Sequence, residues 1–323
     1  MMNFLFLIVT FFSIISFSSV KANLAYITNE KDNTVSVIDI KKKKVIKTVK
    51  VGQRPRGIIM SKDGKLVLVC ASDDDRVEVR EAETLKLKYH LPSGPDPELF
   101  ILSPDDSTLY IANEDDAMVT VVDMEDKMII DDIPVGVEPE GMGLTNNGKV
   151  LVNTSETTNM AHFIDTATLE IIENVLVDAR PRVAMFTPDD KEVWVSAEIG
   201  GTVKVINPSS KEVTHTIGFE IPGVNEESIQ PVGVRHSKDG KYTFIALGPA
   251  NRIAVIDQQT KKLIKYLLVG QRVWQLALTP DQKTLLSTNG VSNDVSIINV
   301  DKLKVEKSVK VGRFPWGVVI SPN

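Results

Sequence analysis

The chain has 323 residues, with 43 acidic against 37 basic side chains, a formal net charge of −6 and a single cysteine. A mildly acidic chain has no electrostatic basis for binding nucleic acid. One cysteine excludes an internal disulfide, and it also excludes a c-type haem attachment, which needs Cys-x-x-Cys-His.

The first element is an apolar run over residues 4–20, FLFLIVTFFSIISFSSV, followed by Lys21-Ala22-Asn23. The run is short for a membrane span, and Val20-x-Ala22 fits a small-residue cleavage site. We expect residues 1–22 to be a cleaved signal peptide, with an uncleaved anchor as the alternative. The mature protein, residues 23–323, would then be periplasmic or secreted and would have no membrane span.

Beyond this segment, two markers recur at the same spacing. One is a proline that begins an apolar run, every 42 residues except for one interval of 50, with valine replacing it once: Pro55, Pro97, Pro139, Pro181, Pro231, Val273 and Pro315. The other is a polar residue that ends a run: Asp39, Glu81, Asp123, Asp165, Asn207, Asp257 and Asn299. Two markers with identical spacing indicate seven tandem copies of one structural unit.

Each copy contains short runs rich in Val, Ile and Thr, bounded by Asn, Asp, Gly or Pro, which is typical of four antiparallel strands. Seven such units predict an all-β, seven-bladed β-propeller, whereas a linear β-solenoid is the alternative. The mature chain would open at the second strand of a unit, Leu24–Asn29, and finish with a lone first strand from Pro315. We therefore expect the C-terminal strand to complete the N-terminal blade and close the ring as a single domain over residues 23–323.

If the strands of a blade are labelled A (innermost) to D (outermost), the D–A and B–C loops open on one face and the A–B and C–D turns on the other. The turns of the second face are nearly uniform, whereas the residues flanking each marker proline vary from copy to copy. A ligand or partner site at this channel mouth is one interpretation, and a girdle of salt bridges between blades is the other. The predicted binding residues are Arg54, Arg56, Asp96, Glu98, Glu138, Glu140, Arg180, Arg182, Gln230, Arg272, Trp274 and Trp316.

The B–C loops on this face are acidic, as in Asp73-Asp74-Asp75 and Glu114-Asp115-Asp116. No loop has the alternating spacing of an EF-hand, so a solvated acidic face is favoured over calcium binding, and no metal site is predicted. In the fourth copy His162 occupies a position that Ser36 and Thr120 hold elsewhere. It is a ligand or proton-carrier candidate, but a structural histidine is the favoured interpretation.

The interval of 50 adds eight residues within Gly218–Ser228, which lengthen one D–A loop. This loop should overhang the same mouth, either as part of a binding site or as a tolerated insertion.

Catalytic motifs are missing from the sequence: there is no G-x-S-x-G, no H-E-x-x-H and no Gly-rich phosphate loop. The four histidines have no metal-ligand spacing. Cys70 lies in an apolar run and is expected to be a buried hydrophobic residue rather than a reactive thiol.

The unit TNEKDNTVSVID…VGQRPRGI resembles the YVTN-type propeller repeat, with Tyr26-Ile27-Thr28-Asn29 as a near match. Segments such as SGPDPELF (93–100), NTSETTNMAHFID (153–165) and VGQRVWQLA (269–277) are similar to the seven-repeat propeller family named for its association with PQQ-dependent catabolism. The resemblance implies a secreted protein that accompanies quinoprotein alcohol dehydrogenases and a transport system, and it brings no catalytic residues. The chain does not resemble those dehydrogenases themselves, so we expect no bound PQQ and no other cofactor.

The favoured hypothesis is therefore a non-enzymatic periplasmic binding or scaffold protein, whose partner is a quinoprotein dehydrogenase, a transport component or a small ligand. The alternative is a lactonase-like hydrolase or a redox protein in which Glu98, Glu140, His162 and Arg182 converge in the channel. A purely structural propeller, with every mouth charge paired to a neighbouring blade, is the third hypothesis.

Overall fold

The structure is a computed structural model that describes residues 23–322, so the predicted signal peptide lies outside the described residues. It contains 28 strands arranged as seven four-stranded antiparallel sheets around a ring. Blade 1 comprises β1 (Leu24–Asn29), β2 (Thr34–Asp39) and β3 (Lys44–Lys50), with β28 (Pro315–Ile320) as its innermost strand. The prediction of a seven-bladed, four-stranded propeller is confirmed.

The other six blades use consecutive strands, with the first as the innermost. Blade 2 has β4 (Pro55–Met60), β5 (Leu66–Ala71), β6 (Arg76–Glu81) and β7 (Leu87–Pro92); blade 3 has β8 (Pro97–Leu102), β9 (Thr108–Asn113), β10 (Met118–Asp123) and β11 (Met128–Pro134). Blade 4 has β12 (Pro139–Leu144), β13 (Val150–Ser155), β14 (Met160–Asp165) and β15 (Ile171–Leu176). Blade 5 has β16 (Pro181–Phe186), β17 (Val193–Ala197), β18 (Thr202–Ile206) and β19 (Val213–Gly218).

Blade 6 has β20 (Val234–His236), β21 (Tyr242–Ala246), β22 (Arg252–Asp257) and β23 (Leu263–Leu268); blade 7 has β24 (Val273–Leu278), β25 (Thr284–Asn289), β26 (Asp294–Asn299) and β27 (Lys304–Lys310). Two short 3₁₀ turns, Ser72–Asp74 and Glu226–Ser228, are the helical elements of the described residues. No helix within residues 23–322 is both long and apolar enough to cross a bilayer.

Both sequence markers have a structural explanation. The polar marker lies at or just after the end of strand C, and where it is Asp or Asn its side chain accepts a backbone N–H two or three residues later, as Asp39 Oδ1 does from Lys42 N (2.9 Å) and Asp165 Oδ1 from Ala167 N (2.8 Å). This Asx-type turn reverses the chain into strand D. The marker proline, or Val273 in blade 7, begins strand A in every blade except blade 6, where β20 begins three residues after Pro231. The residue before the marker has a positive φ in most copies, for example 46° at Arg54 and 57° at Arg180.

Ring closure follows the prediction. Strand β28 pairs antiparallel with β1, with Tyr26 opposite Val319 and Ile27 opposite Val318, so the two ends of the described chain share one sheet. Apolar side chains fill the spaces between neighbouring blades, including the predicted buried thiol of Cys70, which has no exposed surface. The inner strands approach closely: a Cβ on Gly57 would lie 2.4 Å from the carbonyl oxygen of Glu98, which explains glycine there.

Candidate functional site at the channel mouth

The inner strands place two layers of side chains at the mouth. The A–B pairing of every blade except blade 6 shifts register just after the marker position, as between Pro55 and Ile58, and such a bulge re-aims the side chains of the strand. The residues before the marker form the upper or rim layer: Arg54, Asp96, Glu138, Arg180, Gln230, Arg272 and Phe314. Those after it form the lower layer: Arg56, Glu98, Glu140, Arg182, Val232, Trp274 and Trp316. All twelve predicted residues therefore lie at this mouth.

On the side of blades 2 and 3, the charges pair across the blade boundary. Arg56 Nη1 donates to Glu98 Oε2 at 2.8 Å, and Glu98 has no exposed surface. Above them Arg54 contacts three carboxylates: Asp73 (Nε to Oδ1, 2.6 Å), Asp96 by a close hydrogen bond, and Glu98 (Nη2 to Oε1, 3.4 Å). One guanidinium in the rim layer thus serves three acidic groups.

On the side of blades 4 and 5, Arg182 is the buried centre of a second network. Its Nη2 lies 3.0 Å from Glu140 Oε1, its Nη1 hydrogen bonds to Glu156 Oε1, and its Nε lies 3.7 Å from Glu198 Oε2. Arg182 is only 3% exposed and Glu140 only 1%. Above it, the partly exposed Arg180 contacts the same two carboxylates. Its Nε lies 2.8 Å from Glu156 Oε2 and 3.2 Å from Glu198 Oε2.

The tryptophans join the two networks on the side of blades 7 and 1. Their rings lie 6.5 Å apart between centroids, with Arg56 over Trp316 at 5.3 Å. Arg272 and Arg182 lie over Trp274 at 4.3 and 5.8 Å, distances typical of cation–π contacts. Arg272 also donates to Gln230 Oε1 at 2.8 Å and to Glu198 Oε1 at 2.6 Å.

Burial raises the pKa of the lower-layer carboxyls above the usual range of glutamate. Burial raises the pKa of Glu98 well above its ordinary value, although Arg56 opposes the shift, and it raises the pKa of Glu140 against the opposing effect of Arg182. Burial likewise raises the pKa of Glu156 to about 8, although Arg182 lowers it in part. Because burial is the main cause of these shifts, the protonated form of each carboxyl is favoured more than in an exposed glutamate.

The predicted residues come together, but most do not face a ligand freely. The lower-layer groups Glu98, Glu140, Arg182 and Trp316 are buried, and the arginines are paired with carboxylates or lie over indole rings. The salt-bridge girdle considered from the sequence is thus present, and it closes the mouth at the level of the lower layer. The accessible part of this face is the rim layer together with the loops around it.

His162 is a structural residue with both ring nitrogens engaged. Its Nδ1–H donates to Asn174 Oδ1 (2.5 Å), while Nε2 accepts the Gly136 N–H (3.0 Å) and faces Ser155 Oγ (3.0 Å). Burial lowers its pKa, so the neutral ring is favoured. In blade 1 the acceptor for the equivalent glycine, Gly312, is Asn29 Oδ1. Blade 4 has serine in place of that asparagine, and His162 supplies the missing acceptor.

Sequence reasoning missed a set of exposed apolar side chains around the mouth. Among residues 23–322, the large exposed apolar side chains lie either on outer strands or on the face of the D–A and B–C loops, and none lies in the turns of the opposite face. Those on the mouth face are Val137, Leu176, Ile199, Leu268, Val291 and Phe314. Each occupies a loop or strand end that differs between copies, so no repeat pattern marked them.

The predicted insertion builds a cleft on this face. Residues Gly218 to Ile229 line a cavity of about 730 Å³, and a second of about 450 Å³ extends from the same loop to Ile199. Phe219, Ile221 and Val224 form the apolar side of the loop and pack against the core of blades 5 and 6. Glu220, Glu226 and Glu227 are exposed around the cleft and make its edge acidic.

Comparison with known proteins supports the fold and leaves the family open. A family model described as the Cytochrome D1 heme domain matches residues 10–98, less than a third of the chain, and part of that range lies outside the described residues. No curated protein matches the chain.

Solved structures resemble it over most of its length. Hydrazine synthase of Kuenenia stuttgartiensis is 22% identical with a TM-score of 0.77, covering 85% of this chain and 92% of that one. A functionally unknown protein from Desulfotomaculum acetoxidans is 16% identical with a TM-score of 0.80, covering 94% and 100%. A Bacteroides fragilis protein named as a 6-phosphogluconolactonase is 19% identical with a TM-score of 0.79, covering 94% and 99%. At these identities the likeness concerns the β-propeller fold alone.

Proposed function

We propose that this protein is a non-enzymatic binding propeller that holds a partner protein on the face formed by its D–A and B–C loops. The observation that carries the proposal is the asymmetry between the two faces. Six exposed apolar side chains and the insertion cleft lie on the mouth face, whereas the turns of the other face hold no large exposed apolar side chain among the described residues. Apolar groups rimmed by polar residues are typical of protein interaction sites.

The chemistry of the face defines the partner. The loops around the cleft carry Glu220, Glu226 and Glu227, and residues 212–234 contain no lysine or arginine. A partner that inserts an apolar side chain near Ile199 and presents basic side chains to the acidic rim would complement it. The resemblance to propellers associated with PQQ-dependent catabolism makes a periplasmic quinoprotein dehydrogenase or a transport component the first partner to test.

The test begins with capture from periplasmic extract and continues with the purified partner. The dissociation constant is measured for the wild type, for Ile199→Glu and Leu176→Glu, and for Ile172→Glu as the control. Ile172 lies on the same strand as Leu176 and is also exposed, but it belongs to the outer wall of blade 4. We expect at least a tenfold loss of affinity for the two mouth-face variants and no loss for Ile172→Glu; equal affinities for all three would overturn the proposal.

A hydrolase remains the second candidate, favoured by one observation. The pKa of Glu156 is raised to about 8, and a carboxyl protonated near neutral pH is suited to general-acid catalysis. The contacts of Glu156 with Arg182 and Arg180 support a structural role more strongly. Turnover of a lactone that disappears in Glu156→Gln, with unchanged thermal stability, would favour the hydrolase.

A further inference from the structure

The outermost strands of the blades differ in charge from one side of the ring to the other. In blades 3, 4 and 5 the strands β11, β15 and β19 contain no lysine or arginine, and their acidic residues are Asp131, Asp132 and Glu173. In the adjacent blades 7 and 1, the strands β27 and β3 contain one acidic residue, Glu306, and six lysines: Lys304, Lys307, Lys310, Lys44, Lys47 and Lys50. Since blades 3 to 5 form the same sheet without any lysine on this strand, the fold does not require these charges.

The two lysine-rich strands belong to one surface. Lys43 Nζ lies 2.6 Å from Glu306 Oε2, so an ion pair joins the outer edges of blades 1 and 7. Residues 39–50 and 299–310, which include the turns before these strands, contain ten lysines and three acidic residues. These two segments define a basic wall of formal charge +7 on a chain whose formal net charge is −6.

Several charges of the basic wall have no partner in the fold. Four of its lysines are exposed, and their side chains make no ion pair and no hydrogen bond with any described residue: Lys44, Lys50, Lys304 and Lys307. Like charges held close together repel one another and destabilise the compact state. A cluster of this kind, confined to two of seven blades, indicates an anionic partner outside the chain.

The residue types of the wall favour lipid headgroups over other anionic partners. The strands β3 and β27 contain no arginine and no aromatic residue, which bidentate phosphate recognition and base stacking would use. Flexible lysines suit the diffuse negative charge of an anionic leaflet, which needs no fixed geometry. Ile46, which is 48% exposed, lies between Lys44 and Lys47, where its apolar side chain suits the boundary between headgroups and acyl chains.

The apolar segment of the N-terminus joins the ring beside this wall. The apolar run over residues 4–20 leads to Asn23, where the described chain begins. The carbonyl oxygen of Asn23 accepts the N–H of Ile40 at 3.1 Å, directly before Lys41. An N-terminal anchor retained at this point would therefore bring the basic wall to the surface of the bilayer.

We infer that the basic wall of blades 7 and 1 docks on the anionic headgroups of a lipid bilayer. The outer strands connect the two faces of the ring, so a bilayer that lies against them runs parallel to the axis of the ring. The mouth face then opens sideways and remains free for a partner protein. The inference rests on the charge of the outer strands and does not depend on the proposed function.

Sedimentation with vesicles tests the inference. Purified protein is mixed with phosphatidylcholine vesicles, with and without about 30% of the anionic phosphatidylglycerol. We expect binding to the anionic vesicles alone, and its loss in about 1 M NaCl, where the Debye length falls to about 3 Å. Because each lysine at an anionic surface strengthens binding about fivefold, the triple variant Lys44→Gln, Lys50→Gln, Lys307→Gln should lose at least tenfold in partition coefficient.

The matched control removes the same charge from the turns between strands A and B. It combines Lys65→Gln, Lys191→Gln and Lys283→Gln, all exposed lysines outside the wall, and it should bind the anionic vesicles almost as the wild type does. All variants share one N-terminus, so differences between them report on the wall. No binding of the wild type to anionic vesicles, or equal losses in the two triple variants, would overturn the inference.

Glu306→Gln provides a test of opposite sign. It removes the acidic residue of β27 and releases Lys43, so binding to anionic vesicles should strengthen about fivefold. Glu173→Gln makes the same charge change on β15 of blade 4 and should have no effect. Equal gains in both variants would attribute binding to net charge and contradict the inference. Equally tight binding of double-stranded DNA, or capture of an acidic protein by the wall without vesicle binding, would also contradict it.

Discussion

The two arginines of the fourth marker segment, Arg180 and Arg182, offer a direct measure of what the lower layer contributes to stability. Both contact Glu156 and Glu198, but Arg182 is 3% exposed, whereas the Arg180 side chain retains 45% of its exposure. Arg182→Met would leave Glu140 and Glu156 buried without their principal counter-charge. Removing one partner of a buried ion pair typically costs about 3–5 kcal/mol, whereas an exposed pair contributes about 0–1 kcal/mol.

We therefore expect Arg182→Met to lower the free energy of unfolding by about 3–5 kcal/mol, and Arg180→Met by at most about 1 kcal/mol. Urea unfolding, followed by tryptophan fluorescence and by circular dichroism, measures both. Arg182→Lys separates charge from shape, because it keeps the positive charge but loses the planar fork that reaches two carboxylates. Equal losses for Arg180→Met and Arg182→Met would refute the reasoning that burial makes the lower layer structural.

Three further predictions concern the scaffold. His162→Ser should lower the free energy of unfolding by about 1–3 kcal/mol, because the Gly136 N–H loses its acceptor. Adding Ser155→Asn should recover most of that loss, because it restores the arrangement of blade 1. A double variant that is no more stable than His162→Ser in thermal unfolding would contradict this. Burial lowers the pKa of His236 to about 4, so the unfolded chain binds more protons below pH 6.5 and stability falls as the pH drops from 6.5 towards 4. The free energies of unfolding from urea titrations at pH 7.5 and 4.5 should differ by about 2–3 kcal/mol more in the wild type than in His236→Gln, and equal pH dependence would contradict the assignment. Deleting residues 313–323 removes the innermost strand of blade 1 and should abolish cooperative unfolding, whereas deleting residues 322–323 should leave it intact.

The sequence predicted the fold well because the repeat itself encodes the architecture. The proline or valine marker begins the inner strand of every blade except blade 6, and the Asp or Asn marker closes the turn between strands C and D. Strand β28 closes the ring, as the position of Pro315 in the repeat indicated. Each of these features depends on local backbone geometry, which recurs in every copy and is therefore visible as a period.

The site was predicted less completely. Position in the repeat placed Arg182 and Glu98 at the mouth, but it could not indicate that they are buried and paired, because pairing depends on which residue the next blade supplies. The exposed side chains of Leu176 and Ile199 lie where copies differ, so alignment of the repeats gave no signal.

Hydrogen exchange on this protein, with and without its captured partner, locates the face that binds the partner. We expect slower exchange in the D–A and B–C loops, above all in residues 198–202 and 218–230, with unchanged exchange in the turns of the opposite face, such as residues 61–65. Protection of those turns instead, with unchanged exchange in the mouth-face loops, would contradict it.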